Sequence, residues 1–357
     1  MPRFDTPFAQ RLGLQHPLLQ APMAGETATV ELTLAASQAG ALGSLGAAYF
    51  TPQRLRDAIR ALKAGTDRAF AVNLFIPVPW SRDPMREAAY AAELAKAHAA
   101  LGLPPPEPPQ AFEESFAAQI AVVLEEAPPV FSCTFGAPDE ALVQALHARD
   151  IYVIGTATHP AEARELQRRG VDAILAQGSE AGGHRGSFLK PFEQAMIGSM
   201  ALVPLLVDNV QVPVIAAGGI GDGRGVAAAL CLGAQAAALG SSFLLAEECG
   251  SSAAYRAALQ SQQDHETAIT RAFSGRPARG LRNRFLEQIE GRETLLPDYP
   301  LPNAWSRPMR QGAAKQGDAD YLSLWAGQAA KLARPEPAAR IIARVMQQAQ
   351  AVLSADP

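Results

Sequence analysis

The feature that most constrains this chain is a rhythm. Short apolar runs alternate with helical stretches eight times before residue 245. The runs are 17–23 (PLLQAPM), 41–49 (ALGSLGAAY), 70–76 (FAVNLFI), 129–135 (PVFSCTF), 152–157 (YVIGTA), 173–177 (AILAQ), 213–217 (PVIAA) and 236–239 (AAAL). Between them lie segments with helical spacing and helix punctuation, such as Thr51 followed by Pro52, a good N-cap before proline at the first helical position. Strand–helix alternation predicts parallel strands joined by crossover helices. Eight such units is the number that closes a barrel, so the fold class expected is an α/β (β/α)8 TIM barrel. The rival, an open doubly wound sheet, would carry G-x-G-x-x-G after its first strand, and the PMAG turn there does not supply it.

Two regions depart from the rhythm. Residues 78–127 hold a helix at 88–100, a proline-dense spacer at 103–109 (LPPPEPP) and a second helix at 112–126, too long for an ordinary loop. This predicts a helical insertion after strand three, either a lid over the strand ends or a decorated surface. Residues 246–357 form a C-terminal extension expected to pack on the barrel mouth, with 298–310 irregular and helices at 320–332 and 338–353. The barrel itself is expected in residues 1–77 and 128–245. Five arginines between 270 and 285 read mostly as a solvated face.

Composition narrows the class. Hydrophobic residues make up 48% of the 357, ample for a core, and a net charge of −4 gives no reason to expect nucleic acid. Cys133, Cys231 and Cys249 are too scattered for a zinc site or a disulfide framework. No uncharged run reaches the roughly 18 apolar residues of a membrane helix, and the first residues lack a signal core. The expectation is a cytoplasmic enzyme with no metal and no membrane partner.

The chemistry should sit where strands end. Strand six runs into Gln177-Gly-Ser-Glu-Ala-Gly182-Gly-His184-Arg-Gly. Alone, this stretch could be a Gly-rich turn with a surface histidine. In a barrel it places an amide and an imidazole at the catalytic face. Strands seven and eight open into Gly218-Gly219 and Ala238-Leu239-Gly240-Ser241, one βα repeat apart. Loops after those strands form the usual phosphate site of such barrels, helped by a helix N-terminus. Asn73 ends strand three and Met23 ends strand one. Amide atoms and close backbone around a single phosphate site suit a flavin mononucleotide better than a dinucleotide. His16, His98, His147, His159 and His265 fall in helices, turns or helix starts and read as bland. A neutral His184 could act as general base on an acidic C–H, and a protonated one could hold an anion.

The motifs LQAPMAG, NLF, QGSEAGGHRG, PVIAAGGIGDGRG, LGSSF, SGRPARGLRNR and LWAGQ together resemble the nitronate monooxygenases, most closely their class I branch, from about Arg11 to Leu332. The resemblance implies FMN and the oxidation of alkyl nitronates, such as propionate 3-nitronate, by O2 through a flavin semiquinone. It places FMN contacts at Ala21, Pro22, Met23, Asn73, Gln177 and Gly182, and the phosphate at Gly218, Gly219 and the run Ala238, Leu239, Gly240, Ser241. His184 falls on the catalytic histidine, with Tyr299 near the substrate. Asn303 and Arg307 depart from the tyrosine-rich pattern of some members, which bears on substrate preference. The same barrel is similar to FMN-dependent NAD(P)H:quinone and enoyl reductases, which is the alternative activity.

Overall fold

A computed structural model describes residues 4–262 and 267–354. Its main sheet is the expected barrel. Strands β1 (Leu18–Gln20), β2 (Gly43–Gly46), β3 (Phe70–Phe75), β4 (Val130–Thr134), β5 (Tyr152–Ala157) and β6 (Ala173–Gln177) are six of its eight staves. A two-residue strand, β7 (Gly183–His184), belongs to another sheet, and β8 (Val214–Ala217) with β9 (Ala236–Leu239) complete the barrel. Neighbouring strands pair in parallel from β2 through β3, β4, β5, β6, β8 and β9 to β1. The ring closes where Leu42 N–H donates to the Leu18 carbonyl at 2.9 Å and Gln20 N–H to the Leu42 carbonyl at 3.0 Å.

Alternation along each strand sorts the side chains into two cores. Ala71, Val130, Ile154, Ala173, Ile215 and Ala236 point inward and fill the barrel with Leu19 and Tyr152. The short helix α1 (Pro7–Arg11) plugs its lower end with Phe8, whose ring meets Tyr152 edge-on at 6.0 Å. Val72, Leu74, Phe131, Cys133, Ile174 and Leu239 point outward against the helices.

The two helices expected in one insertion part company. Helix α2 (Val30–Gln38) and helix α3 (Pro52–Gly65) cover β1–β3; α4 (Pro84–Ala100) follows the third strand, and α5 (Phe116–Glu126) precedes the fourth. Helix α5 lies on α3 through Ile120, Val122 and Val123, in the barrel's outer layer. Helix α4 instead gives Tyr90, Leu94 and Ala97 to a second apolar core with Phe273, Phe285, Trp305 and Met309 from the C-terminal part of the chain.

The remaining barrel helices are α6 (Glu140–His147) after β4, α7 (Pro160–Arg168) after β5, α8 (Ser199–Val207) before β8 and α9 (Gly223–Cys231) before β9. The C-terminal part divides in two. Residues up to about 337 build the second core beside the mouth, with α10 (Ala253–Ser261), α11 (Arg284–Ile289), α12 (Leu301–Trp305) and α13 (Arg307–Gln316). The final helix, α14 (Ala338–Ser354), leaves the mouth and packs between α9 and α2, the eighth place in the helix ring. The approach is close enough that a Cβ on Gly223 would stand 2.3 Å from the Val345 carbonyl oxygen.

Three local expectations are corrected. Residues 320–332 form no continuous helix: single turns at Ala319–Tyr321 and Ala330–Leu332 flank an extended piece, because Leu281 N–H takes the Leu324 carbonyl at 2.9 Å. Residues 298–310 are largely helical, since Pro302 and Pro308 stand in first turns, where a missing N–H costs nothing. The arginine segment is a small antiparallel sheet of β10 (Thr267–Thr270), β11 (Ala278–Leu281) and β7. Arg282 and Arg284 are exposed, but Arg279 is buried and Arg276 largely so, because backbone carbonyls satisfy their guanidinium groups.

Candidate active site

A cavity of about 540 Å³ opens at the C-terminal ends of the strands, with the C-terminal module as its far wall. Ala21, Pro22, Met23, Asn73, Gln177, Gly182, His184, Gly218, Gly219, Ala238, Gly240 and Ser241 all line it. Leu239 does not. By strand alternation it faces the outer core, and what it gives the site is its carbonyl, which accepts Ala21 N–H at 2.9 Å.

The glycine positions form a cradle. Gly218 and Gly219 take φ of +103° and +72°, which glycine adopts without the steric cost of a Cβ. A Cβ on Gly182 would meet the Gly327 nitrogen at 2.5 Å, so the strand-six stretch and the LWAGQ segment touch backbone to backbone. Ser241 Oγ accepts Gly327 N–H at 2.8 Å, which leaves its own proton free to donate into the cavity. The helix contribution to an anion site is corrected. The N-terminus of α9 is already capped by the Asp222 carboxylate, which takes Arg224 N–H at 3.0 Å. An anion here would therefore be held by the loop N–H groups and Ser241.

Gln177 spends most of its amide on its own stretch. Its Nε2 donates to the His184 carbonyl at 3.0 Å and its Oε1 accepts Gly186 N–H at 2.8 Å. Arg185 staples the same stretch from beneath. It is 1% exposed and donates to the carbonyls of Gly178 (2.6 Å), Gln177 (3.0 Å) and Ala195 (3.2 Å). Glu180 accepts from Ser199 N–H at 2.9 Å. The expected loop is thus a fixed element, and β7 within it pairs His184 with Ala278 of β11.

His184 stands among aromatic rings: Trp325 at 5.5 Å, Phe135 at 5.8 Å, Tyr299 at 6.0 Å and Phe75 at 6.4 Å between centroids. Its Nε2 lies 2.8 Å from Ser274 Oγ. Burial, joined by the nearby Arg276 and Arg310, pushes its pKa down to about 3. It is therefore neutral at ordinary pH, which removes the option of an imidazolium waiting to hold an anion. Positive charge is supplied instead by arginines. Arg276 lies over the Phe135 ring at 3.9 Å and donates to the Ser187 carbonyl at 2.6 Å. Arg310 donates to the Asn303 carbonyl at 2.5 Å and Asn303 Oδ1 at 3.2 Å, and Arg307 faces the same cavity. None of the three makes an ion pair with a carboxylate among the described residues. The Tyr49 hydroxyl is buried there beside Tyr299, and burial raises its pKa.

The remaining histidines are structural: His98 meets the Pro104 carbonyl, His147 meets Asp172 and His159 caps α7, while His265 lies outside the described residues. The residues sequence reasoning passed over are Tyr49, Phe75, Phe135, Ser274, Arg276, Arg310 and Trp325. Only Phe75, inward like Asn73 two residues before it, carried a usable signal. Phe135 adopts φ of +78°, a left-handed conformation rare for so bulky a residue.

A strand-end cavity with a glycine cradle, inward amides and a neutral histidine defines a barrel enzyme acting on a small molecule. The sequence pattern of the nitronate monooxygenases matches residues 6–348, and the chain belongs to the nitronate monooxygenase family, a family of oxidoreductases. It is 41% identical over 345 residues to a probable nitronate monooxygenase of Staphylococcus aureus, covering 96% of this chain and 97% of that one. The solved structure of nitroalkane oxidase from Streptomyces ansochromogenes superposes with a TM-score of 0.90 at 38% identity, covering 97% of this chain and all of that one. FabK from Thermotoga maritima superposes with a TM-score of 0.75 at 28% identity, covering 98% of each. Among the described residues no helix is long and apolar enough to cross a membrane, and no cluster of three metal-ligating side chains occurs.

Proposed function

We propose that this chain is an FMN-dependent enzyme that oxidises alkyl nitronates, propionate 3-nitronate among them, with O2. The observation that carries the reading is a neutral histidine facing a cavity lined by Arg307 and Arg310, which make no ion pair among the described residues, whereas Arg54 at its rim is paired with Glu26 at 2.9 Å. Such a site favours an anion, and a nitronate is one.

The chain's residues fit FMN through the cradle. Gly218, Gly219, Gly240 and Ser241 would take the phosphate, while Ala21–Met23, Asn73, Gln177 and Gly182 would border the ring. FMN when bound supplies the electron acceptor for the electron-rich nitronate carbon. Arg276 and Arg310 raise the local positive potential, which draws the anion in and disfavours protonated substrate. Phe75, Phe135, Tyr299 and Trp325 exclude water around it. With a neutral nitroalkane His184 has a further task. Its lone pair removes the proton from the carbon bearing the nitro group, leaving a nitronate beside an imidazolium. The new anion offsets the burial and arginine repulsion that keep His184 neutral in the empty cavity.

The test is a visible spectrum of the purified protein, followed by oxygen consumption with propionate 3-nitronate. A flavin spectrum with nitronate-dependent oxygen uptake is expected. Anaerobic bleaching by NADH with no reaction of nitronate would replace this reading with a reductase.

A further inference from the structure

Ser274 lies outside the cavity lining and is fully buried, yet its hydroxyl makes three contacts. Arg276 N–H donates to Ser274 Oγ at 3.3 Å, Ser274 Oγ donates to the Arg276 carbonyl at 3.1 Å, and His184 Nε2 lies 2.8 Å from the same oxygen. A serine hydroxyl has one proton and two acceptor lone pairs. A carbonyl can only accept, so the contact to the Arg276 carbonyl uses the one proton. The Arg276 N–H takes one lone pair. What remains for His184 is the second lone pair, which accepts a proton from Nε2. The opposite rotor, with serine donating to His184, would strip the Arg276 carbonyl of the one donor it has among the described residues.

From this proton count we infer that Ser274 is a positioning residue that holds His184 as the Nε2–H tautomer, so that Nδ1 is the ring's proton-accepting atom. The hydroxyl is itself fixed by a tight turn. Gly275 N–H donates to the Arg271 carbonyl at 2.8 Å, and φ of +79° at Gly275 lets the chain double back so that residues 274 and 276 share one oxygen. The Pro277 carbonyl takes Arg185 N–H at 2.8 Å, and β11 pairs with β7 directly after it. The SGRP segment, in the connection between β10 and β11, thereby carries the tautomer lock to His184 on the neighbouring β7. The catalytic consequence rests on the proposed role of His184 as a base. The tautomer itself does not.

The experiment has two readouts. Nitrogen-15 spectra of histidine-labelled, FMN-loaded protein report which ring nitrogen carries the proton, with His184→Asn identifying the His184 signals. In the wild-type protein Nε2 should be protonated and Nδ1 bare. Ser274→Ala should mix or reverse the tautomers, and Ser274→Thr, which keeps the hydroxyl, should restore the wild-type pattern. In turnover, Ser274→Ala should lower kcat/KM for a neutral nitroalkane by about ten- to a hundredfold, the scale of a weakened general base. A preformed nitronate, which needs no base, should be affected far less. A wild-type His184 protonated at Nδ1, or a Ser274→Ala protein with an unchanged tautomer, overturns the inference. A wild-type protein that turns over neither substrate but shows the expected tautomers removes the proposed function alone.

Discussion

Arg185 offers the sharpest test of how the site is held. It is a buried guanidinium with no carboxylate within ion-pair distance among the described residues; its two terminal nitrogens donate to three carbonyls of the chain around it, and its Nε finds no acceptor among the described residues. Burial and the neighbouring Arg279 lower its pKa to about 10, so it remains charged at neutral pH. Replacing it by methionine removes the cost of burying that charge, but it also strips donors from the carbonyls. The Gly178 carbonyl keeps Ala181 N–H at 3.1 Å, so the main losses are at Gln177 and Ala195. Each buried acceptor deprived of its donor costs about 1–3 kcal/mol. The sum, partly offset by the relieved desolvation, is a destabilisation of about 2–4 kcal/mol. At about 1.4 kcal/mol per tenfold, this raises the unfolded fraction by more than tenfold. Urea unfolding of the FMN-free protein measures it without the added stabilisation of a ligand. Arg185→Lys, which can reach fewer of the carbonyls, should fall between the two. A midpoint shift for Arg185→Met equivalent to less than about 0.5 kcal/mol, at unchanged slope, would refute the staple.

Three further outcomes are expected. Gly182→Ala drives a Cβ into the Gly327 and Ala326 backbone and should cost about 1–3 kcal/mol while weakening flavin retention, measured by urea unfolding and by FMN titration; normal retention would separate the cradle from the cofactor. His184→Asn should keep bound flavin but lose most turnover of neutral nitroalkanes, and unchanged oxygen uptake with nitroethane would dismiss its role as base. The pKa of His184, lowered from 6.5 to about 3, means the unfolded chain binds the extra proton between those values. This contribution to stability is therefore complete above pH 6.5 and is lost as pH falls toward 3. The urea midpoint should fall less between neutral and mildly acidic pH for His184→Asn than for wild type; an identical fall would count against the burial.

The strand-end residues were legible because a parallel barrel makes strand ends converge. Once eight apolar runs are aligned, Asn73, Gln177, Gly218 and Ser241 meet at one mouth, and the structure brings them there. Leu239 turns its side chain away from the site because a motif names consecutive residues while a strand turns alternate ones inward. Trp325 was missed because YLSLWAGQ has apolar spacing compatible with a helix, and only pairing with Leu281 holds it extended. The arginines were misread because charge implies solvent until carbonyls are available to receive it.

What the sequence determined by itself is therefore periodic and local: the eight βα units, the glycines that must take left-handed φ, and His184 at a strand's end. The tertiary structure alone decided the partners. It paired β7 with β11, set Ser274 against His184, left Arg276 and Arg310 half-buried without ion pairs among the described residues, and sent α14 back into the helix ring. The physical reason is range. Hydrophobic period and backbone conformation are written within a few residues, whereas the tautomer and charge of His184 depend on groups about 90 or more residues away, which only packing brings together.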